Sequence, residues 1–580
     1  MRINQVNEIK EFLSQTIKES LGPDFSHLDA YSLIIKPPKF ENGHFCFACF
    51  TLSKSLGQKP HDIAKDLAEK ISATKSSQIT EVTNLGPYLN FKLNLSSFEL
   101  LKSIKNLDFF RKECFLDSKK TMFEYSQPNT HKELHVGHMR NLCLGNAIVN
   151  IFRHAGIETL SATYPGDVGT HVAKVLWYLK KNPELKAPET RKGAWLGTIY
   201  AKSHELLESE RGGDKEEENR LELTNILKEL KKGEGEYFER WKETKEWSIQ
   251  QMKEIYQWAD VEFDHWFFES EVDSASLNLV DEYLEKGLFI EDQGAVGIRF
   301  DEEKLGFFLL RKSDGNGLYS TKDLELARRK FQEFNIEENI YIVDSRQSLH
   351  FQQVFKTLEK MGFENAKYCS HLSYAFVELP DGAMSSRKGN IIPLQTLLDE
   401  MTLTITKRYL EKYRGQWSDE EIAFTAKNIA DGAIKYGMCK IDSQKKIVFD
   451  MDEWLKLDGN SGPYLQYSYA RSLSILKKVE GIDFESADLS LLTHELEQKI
   501  IVEMSLFHDV VQESVLKKTP HVLCNYLYNL CQSFNSYYAQ VNISKSSDEL
   551  KKSRAYFVNT FSIYLKESIS LLGIKCPKRM

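Results

Sequence analysis

The stretch Glu124-Tyr-Ser-Gln-Pro-Asn-Thr-His-Lys-Glu-Leu-His-Val-Gly-His-Met-Arg-Asn141 decides the fold. It reads as strand, loop and helix in succession. The run Thr121-Met-Phe-Glu-Tyr125 is a strand that ends near Ser126, and Pro128 and Asn129 make the turn. A helix then begins near His135 or Gly137 and runs through Leu144, Ala147 and Ile151. A helix start that follows a strand offers unpaired backbone N–H groups and the positive end of the helix dipole, which is the geometry of a phosphate site. His135 and His138 are three apart and share a helix face. Two imidazoles there can donate hydrogen bonds to phosphate oxygens as charge builds up. Gly137 between them lets a nucleotide approach the backbone. Taken alone, two histidines so spaced are more often capping or core residues.

Working outward, strand–loop–helix alternation starts at Thr121 and marks an α/β domain. Before it, residues 1–112 read as α+β. A first helix carries Val6, Ile9, Leu13 and Ile17 at helical spacing. Strands follow at 31–35, 44–52 and 88–93, with a helix over 60–71. Residues 201–270 are rich in Glu and Lys, nearly free of β-branched runs, and read as a helical insertion. Strand signals return at 294–300, 307–310 and 340–343. From about Ser418 to Met580 the pattern is amphipathic and aromatic, without a convincing strand, which is a helical bundle. The expected division is 1–112, 113–457 and 458–580. No internal repeat or low-complexity stretch interrupts it.

Composition narrows the function classes. The chain has 580 residues, 41% hydrophobic and 28% charged, too apolar for a disordered chain. No run of about 18 apolar residues exists, so no membrane span is expected. The first 20 residues lack the basic start and apolar core of a signal peptide. Nine cysteines are too few for a disulfide scaffold and fit reduced thiols in the cytoplasm. Cys46 and Cys49 form a C-x-x-C, but no second pair exists to complete a four-ligand zinc site. They read as core thiols of an apolar strand, and no metal-binding residue is assigned.

A second element, Met384-Ser-Ser-Arg-Lys-Gly-Asn390, changes the weight of the histidine pair. It is a small, flexible, cationic loop, suited to closing over a triphosphate and stabilising leaving pyrophosphate. Alone it would read as a solvated turn. The two motifs in this order, about 250 residues apart, resemble class I aminoacyl-tRNA synthetases, and the finer match is to the arginyl-tRNA synthetase family. Further segments carry that likeness: Tyr164-Pro-Gly-Asp-Val-Gly-Thr170, Tyr319 with Asp323, Asp344 with Arg346 and Gln347, Gly459-Asn-Ser-Gly-Pro-Tyr-Leu-Gln-Tyr467, and the closing Leu571–Met580. The resemblance covers essentially the whole chain. Shorter nucleotidyl transferases share the first motif but lack the long helical tail. A non-enzymatic tRNA-binding relative is the other alternative.

The resemblance implies a Rossmann-like catalytic domain, an N-terminal α+β domain against the tRNA elbow, and a C-terminal all-α anticodon-binding bundle. It implies that L-arginine is activated by ATP, with Mg2+, to arginyl-adenylate and transferred to the 3′ end of tRNA(Arg). His135, Gly137 and His138, with Met384, Ser385 and Ser386, are the implied ATP-binding positions. Arg387 and Lys388 belong to the same mobile loop. The family signature K-M-S-K-S appears here as Ala383-Met384-Ser385-Ser386-Arg387, so both lysines are replaced. Lys132 is the expected replacement cation, in competition with Arg387 and Lys388. The loop 167–171 departs too, with Val168 and His171 where many relatives have Trp and Gln. Glu124, Ser126, Asn129, Tyr319, Asp323 and Gln347 are the implied arginine-binding residues. Whether Glu124 or Asp323 makes the guanidinium fork stays open. Such a fork leaves acceptors unpaired when lysine binds, so discrimination is expected without an editing domain. Tyr464, Tyr467, Tyr469, Tyr526, Tyr528, Tyr537 and Tyr538 are candidates for stacking on anticodon bases, most of them more in keeping with core positions. Family habit adds a monomer.

The formal charge of −8 looks unfavourable for an RNA partner. Its distribution reads differently. Residues 1–112 carry +3 and 501–580 carry +4, while 201–270 alone carry −8. The two ends expected to meet tRNA are the basic ones.

Overall fold

The computed structural model describes residues 7–110, 118–379, 382–383 and 393–580. The chain opens on α1 (Glu8–Leu21), capped by Asn7, whose side chain accepts from the backbone N–H of Ile9 and Lys10. Ile9, Leu13 and Ile17 recur every fourth residue and are buried. Strands β1 (Ile34–Ile35) and β2 (Phe45–Ala48), helix α2 (Pro60–Ala73) and strands β3 (Ile79–Leu85) and β4 (Tyr88–Leu93) follow. The sheet is antiparallel in the order β1-β2-β4-β3.

Two strand expectations are shortened. The segment expected as a strand from Tyr31 is a helical turn over Ala30–Leu33, because Asp29 caps it by accepting from Ser32 N–H. The segment from His44 leaves the sheet after Ala48 and becomes a 3-10 turn at Cys49–Leu52. Its partner strand begins only at Tyr88, next to Pro87, which has no N–H with which to continue the ladder. Cys46 and Cys49 are buried and unbridged, and burial pushes their thiols up to about 11 and about 12.

The central body starts with β5 (Thr121–Glu124), α3 (Val136–His154) and β6 (Thr159–Thr163). Four helices intervene: α4 (Thr170–Lys181), α5 (Lys192–Ser209), α6 (Glu216–Lys232) and α7 (Glu236–Trp258). They share a small core around Val172, Trp177, Ile226 and Trp241. The helical insertion therefore begins before residue 201 and ends before 270, where β7 (His265–Trp266) returns to the sheet. Helix α8 (Glu269–Glu285) leads to the meander β8 (Ile290–Asp292), β9 (Ala295–Phe300) and β10 (Gly306–Arg311). Then come α9 (Tyr319–Phe334), β11 (Glu338–Asp344), α10 (Ser348–Lys360) and β12 (Cys369–Tyr374).

The main sheet is all parallel, in the order β12-β11-β5-β6-β7. From β5 the chain steps outward through β6 to β7, then returns to β11 on the other side of β5. The order thus reverses between β5 and β11, and ligands of such sheets bind outside the carboxyl ends of the strands at that point. Glu124 ends β5 and Asp344 ends β11.

Strands β13 (Val377–Leu379) and β14 (Gly382–Ala383) and helices α11 (Leu394–Ile405) and α12 (Asp419–Cys439) lead into the tail. The tail is helical except for β15 (Ile447–Val448), which pairs in parallel with β13 and was not expected. Helices α13 (Gly462–Lys478), α14 (Glu495–Ser505), α15 (Phe507–Lys517), α16 (His521–Gln540) and α17 (Asp548–Ser570) form the closing bundle. The first body docks on it: Lys10 pairs with Asp509 at 3.0 Å, Tyr31 donates to Asp509 at 2.9 Å, and Lys36 pairs with Glu503 at 2.7 Å. No described helix is long and apolar enough to cross a membrane.

Candidate active site

At the crevice, the first turn of α3 is built by its own histidines. His135 is the N-cap, and its Nδ1 accepts from Gly137 N–H at 3.2 Å. His138 Nδ1 accepts from His135 N–H at 3.1 Å. The pair is thus a reciprocal capping box, with imidazoles in place of the usual hydroxyl and carboxylate. Each Nδ1 acts as an acceptor, so the ring hydrogen sits on Nε2 and is available as a donor. Burial, assisted by the Arg346 charge, lowers His135 to about 4. Burial and the neighbouring His135 hold His138 well below its ordinary value. Both rings are therefore neutral donors near pH 7. Capping and anion binding are not alternatives here, because the cap fixes the tautomer that an anion site needs.

Nine of the residues expected at the site line one cavity of about 650 Å3: Glu124, Ser126, Asn129, His135, Gly137, His138, Tyr319, Asp323 and Gln347. Ser126 takes a left-handed φ of +56°, costly for a residue with a side chain. The turn is held by Asn141 Oδ1, which accepts from Ser126 N–H at 2.6 Å, and by a 2.8 Å contact between the Ser126 and Tyr256 hydroxyls. Asn141 also donates to Ile342 O at 2.9 Å and to the Tyr374 hydroxyl at 3.1 Å, so one amide ties together the ends of β5, β11 and β12. Asn129 bridges to Gly166, and Thr130 N–H donates to Gly166 O at 2.9 Å.

Four carboxylates line the cavity, and their partners differ. Glu124 is in a buried ion pair with Lys330. Glu269 pairs with Lys322 at 3.0 Å. Asp344 is held by Arg346 at 2.8 and 3.0 Å. Asp323 alone has no Lys or Arg partner among the described residues. It accepts from His350 Nε2 at 2.6 Å, and the His350 ring lies 5.0 Å from that of Tyr319. A cation entering the cavity meets three neutralised carboxylates and one with charge to offer. Electrostatics therefore separates two groups that the sequence left equivalent, and favours Asp323 over Glu124.

Lys132 does not line the cavity. Its ammonium lies 4.9 Å from the Tyr200 ring centre, over α5. It is near enough to the crevice for its charge to add to the lowering of His138 and His171. Met384, Ser385, Ser386, Arg387 and Lys388 lie outside the described residues. The divergent loop at 167–171 is anchored from two sides: Asp167 is buried and accepts from Lys245 at 2.6 Å and from Ser270 N–H at 2.9 Å. His171 is half-buried, with its Nε2 3.1 Å from Gly166 O.

The cavity also holds residues to which sequence reasoning gave no role: Asn141, Tyr164, Glu269 and Arg346, with His350 directly behind. Tyr164 and Arg346 stand inside quoted motifs, so the signal was present and unread. Glu269 belongs to no motif and reaches the crevice only because α8 starts there. A second cavity, of about 560 Å3, is lined in the tail by Tyr464, Tyr467, Arg471 and Met580 among others. Tyr469 and Tyr537 are core residues.

A parallel sheet whose switch point carries an H-x-G-H helix start beside an acidic cavity of about 650 Å3, with a long helical tail behind it, has the make-up of a class I aminoacyl-tRNA synthetase. Comparison with known proteins agrees. Residues 106–451 match the family described as tRNA synthetases class I (R), catalytic domain. Residues 7–93 match the arginyl tRNA synthetase N terminal domain, and 465–580 the DALR anticodon binding domain. The chain is 45% identical to the arginine–tRNA ligase of Bdellovibrio bacteriovorus, over 99% of each chain. It is 32% identical to that of Clostridium acetobutylicum, over 99% of this chain and 100% of the other. The structure resembles Thermus thermophilus arginyl-tRNA synthetase with a TM-score of 0.80 at 25% identity, covering 99% of this chain and 100% of that one. The chain belongs to the arginyl-tRNA synthetase family and is an enzyme with a tRNA synthetase catalytic domain.

Proposed function

We propose that this chain joins L-arginine to tRNA(Arg) in two steps within the crevice between β5 and β11. The arginine carboxylate attacks the α-phosphate of ATP and expels pyrophosphate. The terminal adenosine of the tRNA then attacks the activated carbonyl and releases AMP. No protein nucleophile is needed, so the work of the site is positioning and charge stabilisation. The Nε2–H groups of His135 and His138 donate to the phosphates, preset by the capping box, and Gly137 lets the nucleotide lie against the helix start. Asp323, oriented by His350 and flanked by Tyr319, takes the guanidinium. Glu124, Ser126, Asn129 and Gln347 hold the rest of the amino acid. Lys132, Arg387 and Lys388 supply positive charge to the leaving pyrophosphate in place of the missing signature lysines.

Magnesium arrives with the nucleotide. Among the described residues no group of three or more His, Cys, Asp or Glu is placed to hold a metal ion. The Mg2+ is carried on triphosphate oxygens and water. The first body meets the tRNA elbow and the closing bundle meets the anticodon, where Tyr464, Tyr467 and Arg471 offer ring and guanidinium faces. The protein works as a monomer in the cytoplasm.

The observation that carries this reading is the convergence on one cavity of the H-x-G-H helix start and a carboxylate that has no Lys or Arg partner among the described residues. The test is tRNA-dependent charging with each amino acid in turn. Arginine is expected to be the one attached, and absence of arginylation of the cognate tRNA would overturn the reading.

A further inference from the structure

Tyr164 follows β6 at the edge of the crevice. It is 7% exposed and lines the main cavity. Its hydroxyl is buried without a hydrogen-bond partner among the described residues. Leaving a buried hydroxyl unpaired is costly, and such groups in a folded protein call for an explanation. The surroundings supply one. Glu269, Asp323 and Glu124 line the same cavity. Two residues on, a Cβ at Gly166 would lie 2.4 Å from Asn129 Oδ1 and 3.0 Å from Glu269 Oε1, so two cavity-lining side chains converge on the backbone there.

We infer that the Tyr164 hydroxyl is an arginine-binding group that accepts an N–H of the substrate guanidinium. This rests on the arginine-binding reading above and adds a residue to it. The guanidinium has five N–H donors in a fixed plane. The Asp323 carboxylate can take two of them, which leaves donors that need further acceptors. Burial, then the charges of Glu269, Asp323 and Glu124, holds the phenol well above its ordinary range, so it keeps its hydrogen and stays neutral. A neutral hydroxyl accepts without adding a negative charge to a site that already has one. It also favours arginine over lysine, whose compact ammonium cannot reach Asp323 and Tyr164 in the same planar arrangement.

The test is Tyr164→Phe, which removes one oxygen and keeps the ring. The expected result is a rise in arginine KM of about tenfold to a hundredfold, the usual effect of losing a hydrogen bond to a charged group. The kcat and the KM for ATP should stay within about twofold, while discrimination against lysine weakens. Inhibition by δ-guanidinovalerate, arginine without its α-amino group, should weaken by the same factor, which shows that the contact is not with the α-amino group. An unmoved arginine KM overturns the assignment, and so does unchanged inhibition by that analogue. A wild-type protein that does not charge arginine overturns the proposed function and this inference together. A charging wild type with an unaffected Tyr164→Phe overturns this inference alone.

Discussion

At the scale of the residue, the site works by deciding which charges are already satisfied. Glu124 and Glu269 face the cavity with Lys330 and Lys322 behind them, and Asp344 is clasped by Arg346. Asp323 is held by an imidazole instead. Two predictions belong here. Asp323→Asn keeps the shape and removes the charge, and should raise arginine KM by at least about tenfold with little change in the KM for ATP. Steady-state arginylation over a range of arginine concentrations checks it, and an unchanged KM would remove Asp323 from the pocket. His350 should show a split between two substitutions. His350→Leu frees the carboxylate to rotate and should also raise arginine KM. His350→Gln keeps an N–H donor near the Nε2 position and should recover most of the loss. Equal losses in the two variants would show that packing against Tyr319 and Phe308, and not the hydrogen bond, is what His350 contributes.

At the scale of the element, the sequence reveals the regular parts and conceals what joins them. The strand–loop–helix at 121–154 is legible because its apolar spacing changes period in front of a helix start. Strands β6 and β12 pass unnoticed, since short runs such as Thr-Leu-Ser-Ala-Thr show no clear alternation and acquire strand geometry only between parallel neighbours. The site residues inside motifs could be found; Glu269 and His350 could not, because their partners lie 53 and 27 positions away in the chain. Arg140 shows the same limit. In sequence it is a helix residue after H-x-G-H. In the structure it is 1% exposed and donates to five backbone carbonyls. Two are at Ala375 and Phe376, which lead toward the cationic loop, and three at Asp442, Ser443 and Lys445. The helix that presents both histidines is thereby locked to the segment before that loop. Burial lowers the guanidinium to about 10, leaving it charged at neutral pH. Arg140→Lys has too few donors, in the wrong geometry, for these carbonyls. It should lower kcat at least about tenfold while arginine KM changes little, and Arg140→Met should cost about 3 kcal/mol or more in a denaturant melt. A wild-type kcat in the lysine variant would show that the two segments need no such clamp.

At the scale of the whole molecule, one property is distributed over every part of the chain. Among the described residues eight histidines are held below their ordinary value, each mainly by burial; besides His265 and His371, six are lowered furthest: His44, His135 and His154 to about 4, His131 and His171 to about 3, and His138 well below its ordinary range. His44 is in the first body. His131, His135, His138 and His171 surround the crevice. His154 closes α3 against Phe507 of the bundle, with ring centres 5.4 Å apart. In the unfolded chain all six titrate near pH 6.5. The sign follows from linkage. Above pH 6.5 both states are neutral at these positions and stability is fully present. As pH falls below 6.5 the unfolded state takes up protons that the folded state refuses, and stability is lost until the folded rings titrate near 4 and below. Each ring can contribute up to about 1.4 kcal/mol per pH unit in that window, and the losses add in one direction. Asp431, Glu133, Glu269 and Glu325 act the other way, since burial raises their carboxyls, that of Asp431 to about 6, but they are fewer than the histidines. The expected outcome is a melting temperature nearly flat between pH 7 and 8 and falling steeply from 6.5 toward 5. Unfolding enthalpies at pH 5 should depend strongly on the ionisation heat of the buffer, reporting proton uptake. The acid limb of arginylation should then follow loss of the fold and not protonation of His135 and His138, which stay neutral lower than the fold survives. A melting temperature unchanged between pH 6.5 and 5 would mean that these rings are hydrated in solution and that the capping box does not keep its donors neutral by burial.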